Sequence, residues 1–354
     1  MGLLAKLRAQ IAQDGPLTAA QYMTACLHDP EHGYYATRPR LGEDGDFITA
    51  PLVSQMFGEL IGLWCVETWI RLGRPSPFFW AEVGPGDGTL IADALRAARL
   101  APDFLAAARL RLVEPSAPLR ALQAARLAGT APEPGWAESV DSLPDGAPLI
   151  LVANEVLDCL PVRQFVRTGR GWAERMVGLG PGGELAFGLS SRPVDGLLPA
   201  AEPGAVLEVS PAQQAFAAAV AARVAGSGGA ALLIDYGRAE PGFGDTLQAL
   251  KGHRKLDPLQ HPGEADLTVH ADFPAVLAAA RDAGAATALL TQGELLRRLG
   301  IEARAAALGR ARPDRADTIG RQLRRLTAAD QMGELFKAAC IHSVGVSPPA
   351  FEEP

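Results

Sequence analysis

The sequence has little cysteine and no arrangement that would pair it. Its four cysteines, Cys26, Cys65, Cys159 and Cys340, lie far apart and form no CxxC unit. That excludes a zinc knuckle or redox dithiol and fits reduced thiols in a cytoplasmic compartment. No apolar run approaches the ~18 residues expected of a membrane span. The opening MGLLAKLRAQIAQ reads as an ordinary amphipathic helix with no cleavage pattern behind it. Positive charge is not in surplus either: the formal net charge is −7 over 354 residues, which weighs against nucleic acid as the main partner. The arginines running from Arg297 and Arg298 to Arg325 read as solvated helix faces, with a local basic patch as the alternative. There is no internal repeat and no low-complexity tract beyond alanine richness.

What is present is a large apolar fraction, 48% of residues against 21% charged, enough for one large domain or two moderate ones. Residues 1–77 read as a helical extension. Leu3, Leu4, Leu7 and Ile11 follow helical spacing, Thr18 caps LTAAQYMTACLHD, and SQMFGELIGLWCVETWIRLG is a long apolar helix. Phe57, Trp64 and Trp69 on that helix read as core. The stretches HDPEHGYY and RPRLGEDGDFITAP between these helices are turn-rich.

From residue 78 to 354 the texture alternates. FFWAEV, RLRLVE, PLILVAN and GGAALLIDYG read as strands, joined by weaker candidates at 286–291 and 335–342, with helical segments such as TLIADALRAARL and PAQQAFAAAVAARVA between many of them. This order predicts an α/β fold: a mostly parallel sheet with helices on both faces. RQFVRT, GWAERMVGL and ELAFGLSS interrupt it and predict an antiparallel β-meander inserted at 160–192, a candidate cap.

The strand FFWAEV runs into GPGDGTL, a glycine turn followed by a helix. In a parallel sheet, ligands bind beyond the carboxyl ends of the strands near the reversal of strand order. Glycines let the backbone approach a ligand closely. A dinucleotide would need GxGxxG, whereas Gly84, Gly86 and Gly88 give GxGxG, and Asp87 would face two phosphates. A nucleotide triphosphate loop would need Lys-Ser/Thr after Gly88. S-adenosylmethionine, which carries a sulfonium and an ammonium, welcomes carboxylates instead. Glu82 on the strand can face the ammonium, and Glu114 at the end of RLRLVE can accept hydrogen bonds from both ribose hydroxyls. Asp141 in WAESVDSLPDG sits where it could reach the adenine, although turn chemistry explains such an acid equally well.

A second cluster follows the apolar strand PLILVAN: Asn154, Glu155 and Asp158 in ANEVLDCLP. Methyl transfer from a sulfonium is an in-line displacement, so alignment supplies much of the catalysis. A guanidinium acceptor needs its charge localised and a proton removed, which a carboxylate can do through bidentate hydrogen bonds. Glu155 is the first candidate and Asp158 the second, with Asn154 orienting acceptor or cofactor. Acids in a helix's first turn are the structural alternative for Asp158. Asp235, Tyr236, His253, His261, Asp266 and His270 are too loosely spaced for a metal site, and none is expected.

Together these stretches resemble the MidA-type class I methyltransferases, whose mitochondrial member is a complex I assembly factor that methylates protein arginine. The resemblance runs from about residue 15 to 273 through GPLTAAQYMTACLHDPEHGYY, GDFITAPLVSQMFGELIG, EVGPGDGTL, LVEPS, NEVLDCLPVRQF, LIDYG and DTLQALKGHRKLDPLQHPGEADLTVHADF, and MGELFKAACIH extends it. GPGxG is widespread among methyltransferases, whereas GDFITAP, NEVLDCLP and ADLTVHADF are more particular. The resemblance implies a seven-stranded Rossmann-like sheet and cofactor contacts at Glu82, Gly84, Gly86, Gly88 and Glu114. It also implies that Thr49 and Pro51 close over the cofactor while Asn154 and Glu155 face its methyl. The implied acceptor is a protein arginine, with a respiratory complex I subunit as candidate. No mitochondrial presequence is evident, which points to a bacterial, cytoplasmic member. A small-molecule acceptor, or a non-catalytic assembly chaperone on the same fold, are the rival readings. Oligomeric state is open.

Overall fold

The computed structural model describes residues 2–37, 49–192, 194 and 198–352. Contacts gather the chain into two units, each assembled from three separated stretches. The first takes Met1–Phe47, Leu157–Gln213 and Glu240–Asp272; the second takes Ile48–Val156, Gln214–Ala239 and Phe273–Pro354. Residues 38–48 of the turn-rich stretch expected at 38–51, and with them the first four residues of GDFITAP, lie outside the described residues.

In the first unit, helix α1 (Leu3–Asp14) buries Leu3, Leu7 and Ile11, one face at helical spacing. Helix α2 (Ala19–His28) starts where the sequence placed it. The Thr18 hydroxyl accepts from the Gln21 N–H at 3.1 Å, and the Gln21 side chain accepts from the Thr18 N–H at 2.8 Å. This reciprocal box satisfies two otherwise orphaned donors. The expected meander is present as antiparallel strands Arg163–Thr168, Gly171–Leu179 and Leu185–Leu189. Val206–Val209 and Leu17–Thr18 add strands on either side. Gln248–Lys251, Arg254–Leu256 and Asp266–Thr268 form a separate small sheet.

The second unit is built on seven strands: β1 (Phe78–Val83), β2 (Ala108–Val113), β3 (Gly135–Ala137), β4 (Leu149–Asn154), β5 (Gly229–Arg238), β6 (Ala286–Thr291) and β7 (Phe336–His342). Their order across the sheet is β6-β7-β5-β4-β1-β2-β3. Neighbours among β1 to β5 are parallel, whereas β7 runs antiparallel to β5 and β6. Every residue of β1 and β4 is buried, as uninterrupted apolar runs demand of strands covered on both faces. The chain travels outward from β1 through β2 to β3, then returns to β4 on the other side. The strand order therefore reverses between β1 and β4, the expected place for a ligand.

Helix α3 (Ala50–Val53) is a single turn, and α4 (Gln55–Arg71) follows it with Phe57, Trp64 and Trp69 all buried. A boundary at residue 77 would assign α4 to the helical extension, yet it belongs to the sheet's unit. Gly58 and Gly62 let it lie tightly on α5 (Thr89–Ala98): a Cβ on Gly62 would stand 2.6 Å from the Ala94 Cα. Between them the buried carboxylate of Glu59 binds Arg304 at 2.7 and 2.9 Å and Arg96 at 3.1 Å, so its charge is paired on both sides. Helix α6 (Ala117–Arg126) follows β2. No described helix is long and apolar enough to cross a membrane.

Candidate functional site

The turn after β1 is a run of left-handed backbone. Gly84, Gly86 and Gly88 have φ of 62°, 57° and 83°, values that side chains other than hydrogen resist. The Gly84 N–H donates to the Val113 carbonyl at 3.0 Å, holding the turn to the end of β2. A Cβ on Gly84 would meet the Val156 Cγ2 at 3.0 Å. Asp87 does structural work here. One carboxylate oxygen accepts from the Thr89 N–H at 3.0 Å and the other from Arg126 at 2.7 Å.

Glu82, on β1, is only 3% exposed, and its Oε2 has no hydrogen-bond partner among the described residues. Burial, with the Asp87 carboxylate as second cause, pushes its pKa up to about 8 against a hydrogen bond from the Ile91 N–H. A buried carboxylate in this state takes either a proton or a cation. Glu114, directly after β2, is also buried. Burial raises its pKa, while bonds from the Ser116 N–H and the Gln123 amide pull the other way. Ser116 donates to Oε1 at 2.8 Å and Gln123 to Oε2 at 3.4 Å.

At the end of β4, Asn154 is buried, and its Oδ1 likewise has no partner among the described residues. Its Nδ2 donates to Glu155 Oε1 at 3.0 Å, and the Ala50 N–H reaches the same oxygen at 3.2 Å. Glu155 has φ of 54°, a strained conformation for a side chain of this size and one that gathers at functional sites. Its own N–H donates to the Ile234 carbonyl of β5 at 2.8 Å. Asp235, the next residue of β5, is completely buried and accepts from the Tyr236 N–H at 2.8 Å.

The second unit thus brings together Glu82, Gly84, Gly86, Gly88 and Glu114 with Asn154 and Glu155. Thr49 and Pro51 lie in the same unit. Thr49 precedes α3 without a side-chain cap, and Pro51 is buried within it. What ties this turn to the strand end is the backbone of Ala50, which sequence reading had no reason to select. Asp141 is exposed on a short turn, Val140–Ser142, whose ends are held by Ser139 and Ser142, so turn chemistry accounts for it. Asp158 belongs to the first unit, and the division falls between it and Glu155. There it is buried, its carbonyl accepts from the Val269 N–H at 2.9 Å, and its charge is felt by Tyr35. Sequence reading also passed over Gln123, a fully buried polar side chain.

The site's chemistry matches a ligand with an ammonium group and a diol: a proton-hungry buried acid, a backbone cradle without side chains, and a second acid on the neighbouring strand.

Comparison with known proteins points to the same ligand chemistry. Residues 60–291 match the family model described as "Putative S-adenosyl-L-methionine-dependent methyltransferase". A zebrafish (Danio rerio) relative, protein arginine methyltransferase NDUFAF7, mitochondrial, is 35% identical, covering 85% of this chain and 77% of its own. The Drosophila melanogaster homologue of the same name is 36% identical over 95% of this chain and 84% of its own. Among solved structures, a "likely methyl transferase from Burkholderia thailandensis bound to S-adenosyl-homocysteine" superposes with a TM-score of 0.85 at 28% identity, covering 99% of this chain and 94% of that one.

Proposed function

The chain belongs to this family of S-adenosylmethionine-dependent methyltransferases, and we propose that it methylates an arginine side chain of a protein. The observation that carries the cofactor assignment is Glu82: a buried acid with one oxygen unpartnered among the described residues, beside three left-handed glycines. Glu82 would face the methionyl ammonium, the Gly84–Gly88 backbone would line the methionine and ribose portions, and Glu114 would accept from the ribose hydroxyls. Thr49 and Pro51 would cover the pocket. When bound, S-adenosylmethionine supplies a methyl carbon activated by its sulfonium.

The arginine assignment rests on the relatives' names and on Glu155. A guanidinium with an intrinsic pKa above about 12 is a poor nucleophile until its charge is localised. The Glu155 carboxylate, held at Oε1 by Asn154 and the Ala50 N–H, would draw that charge to one end and receive the proton as the nitrogen is alkylated. On the family resemblance, the acceptor's protein would be a respiratory complex I subunit.

Proton linkage tests the cofactor assignment. With its pKa near 8, Glu82 is mostly protonated at about pH 7, and an ammonium bound beside it lowers that pKa. Binding therefore releases a proton, and affinity rises with pH up to the free-state pKa and then levels. Calorimetric titration with S-adenosylhomocysteine at about pH 7, in two buffers of different ionisation enthalpy, is expected to show about one proton released per site. Glu82→Gln is expected to bind more weakly and release almost none. Tight binding to the wild-type protein with no proton released would remove Glu82 from the ammonium site.

A further inference from the structure

Helix α6 presents three side chains at i, i+3 and i+6 to the glycine turn and the end of β2: Arg120, Gln123 and Arg126. Residues at this spacing share one helix face. Arg120 donates to the Glu114 carbonyl. Arg126 donates to the Asp87 carbonyl at 2.8 Å and to its carboxylate at 2.7 Å. Between them Gln123, with no exposure at all, donates to the Gly86 carbonyl at 2.9 Å and to Glu114 Oε2 at 3.4 Å while accepting from the Trp136 indole at 2.8 Å.

These partners leave the amide one orientation. An indole N–H can only donate and a carbonyl can only accept. Trp136 therefore requires the Gln123 oxygen, Gly86 requires the nitrogen, and a flipped amide would lose both bonds. The donor side is thus turned permanently toward Glu114. Ser116 holds the other Glu114 oxygen, so among the described residues each oxygen spends one lone pair on the protein and retains another. A carboxylate held this way offers two parallel acceptors, the pattern that vicinal hydroxyls match. A lysine or arginine at position 123 would neutralise Glu114 and compete with those hydroxyls. A neutral, buried donor orients the acid without doing either.

We propose that Gln123 is a positioning residue that sets the Glu114 carboxylate for the two ribose hydroxyls of the cofactor, so that recognition of the ribose depends on it. The proposal rests on the cofactor reading above. A side chain that merely braced the turn would affect all ligands of the site alike, whereas one acting through Glu114 adds an effect confined to ligands carrying the diol.

Calorimetric affinities for S-adenosylhomocysteine and its 2′,3′-dideoxy analogue separate the two. The wild-type protein is expected to prefer the diol by about tenfold or more, the scale of hydrogen bonds to a charged acceptor. Gln123→Met is expected to reduce that preference below about threefold, beyond the equal weakening that its lost bond to the Gly86 carbonyl brings to both ligands. Equal weakening of both ligands alone, or an unchanged preference, would overturn the proposal. Trp136→Phe removes the bond that orients the amide and keeps an aromatic ring, though a smaller one, against the core. Its melting temperature controls for folding, and it is expected to shrink the preference by about twofold to fivefold. If Gln123→Met does not fold, an unchanged preference in Trp136→Phe overturns the proposal. A wild-type protein that binds neither ligand would instead remove the cofactor reading, and this proposal with it.

Discussion

Replacing Gly86 by valine is expected to lower affinity for S-adenosylhomocysteine by at least about a hundredfold, roughly 2.7 kcal/mol. Two costs combine. Gly86 has φ of 57°, and a β-branched residue held in the left-handed region costs about 1–3 kcal/mol. The backbone cannot rotate freely to escape, because the Gly86 carbonyl is held by Gln123 and the adjoining Asp87 by Arg126. Whichever way the strain resolves, the valine either spoils the turn or fills the space the ligand needs. Calorimetry gives the affinity, and a melting curve shows whether the fold survives. A folded variant with affinity within about threefold of wild type would mean that the ligand sits elsewhere.

The second large effect belongs to Glu155. Glu155→Gln is expected to leave S-adenosylhomocysteine affinity within about threefold and to lower single-turnover methyl transfer by about a hundredfold to ten-thousandfold, the range for loss of a positioned general base. Glutamine keeps the size of the side chain and an oxygen for the Ala50 N–H, so the loss isolates the charge. The left-handed backbone at this position is costly for glutamate and is retained where four groups converge: Asn154, Ala50, Ile234 and the carboxylate itself. If Glu155 only tied α3 to the end of β4, glutamine would keep that tie and the rate would be spared. A lost rate at an unchanged melting temperature therefore marks the catalytic role.

Much of the second unit was legible because its strands are largely apolar runs, and the central β1 and β4 are buried along their whole length. β1, β4 and β6 occupy the stretches the pattern marked, and the glycine turn stands between β1 and α5 as its sequence implied. β3 escaped notice as a strand because three residues, Gly135–Ala137, are too few to carry a period. The division into units was not legible at all. The sheet's unit claims α4 because two glycines permit contact with α5, and the meander joins α1 and α2 through pairing that spans more than 150 residues of sequence, Leu17 against Val177. Gln123 was invisible for a related reason. Its meaning lies in a carbonyl on Gly86, a carboxylate on Glu114 and an indole on Trp136, none of which a linear pattern brings together. Glu155 was chosen for its charge, whereas the strained backbone that marks it as unusual appears only in three dimensions.

The most direct test of methyl transfer to a protein arginine is incubation with methyl-labelled S-adenosylmethionine and an extract of source cells lacking this protein. The labelled fraction is then resolved by mass spectrometry, with Gly86→Val as the control. Label is expected on an arginine of a protein, present with the wild-type chain and absent with the variant. Label confined to small molecules, label on another residue type, or equal labelling by wild type and Gly86→Val would contradict it.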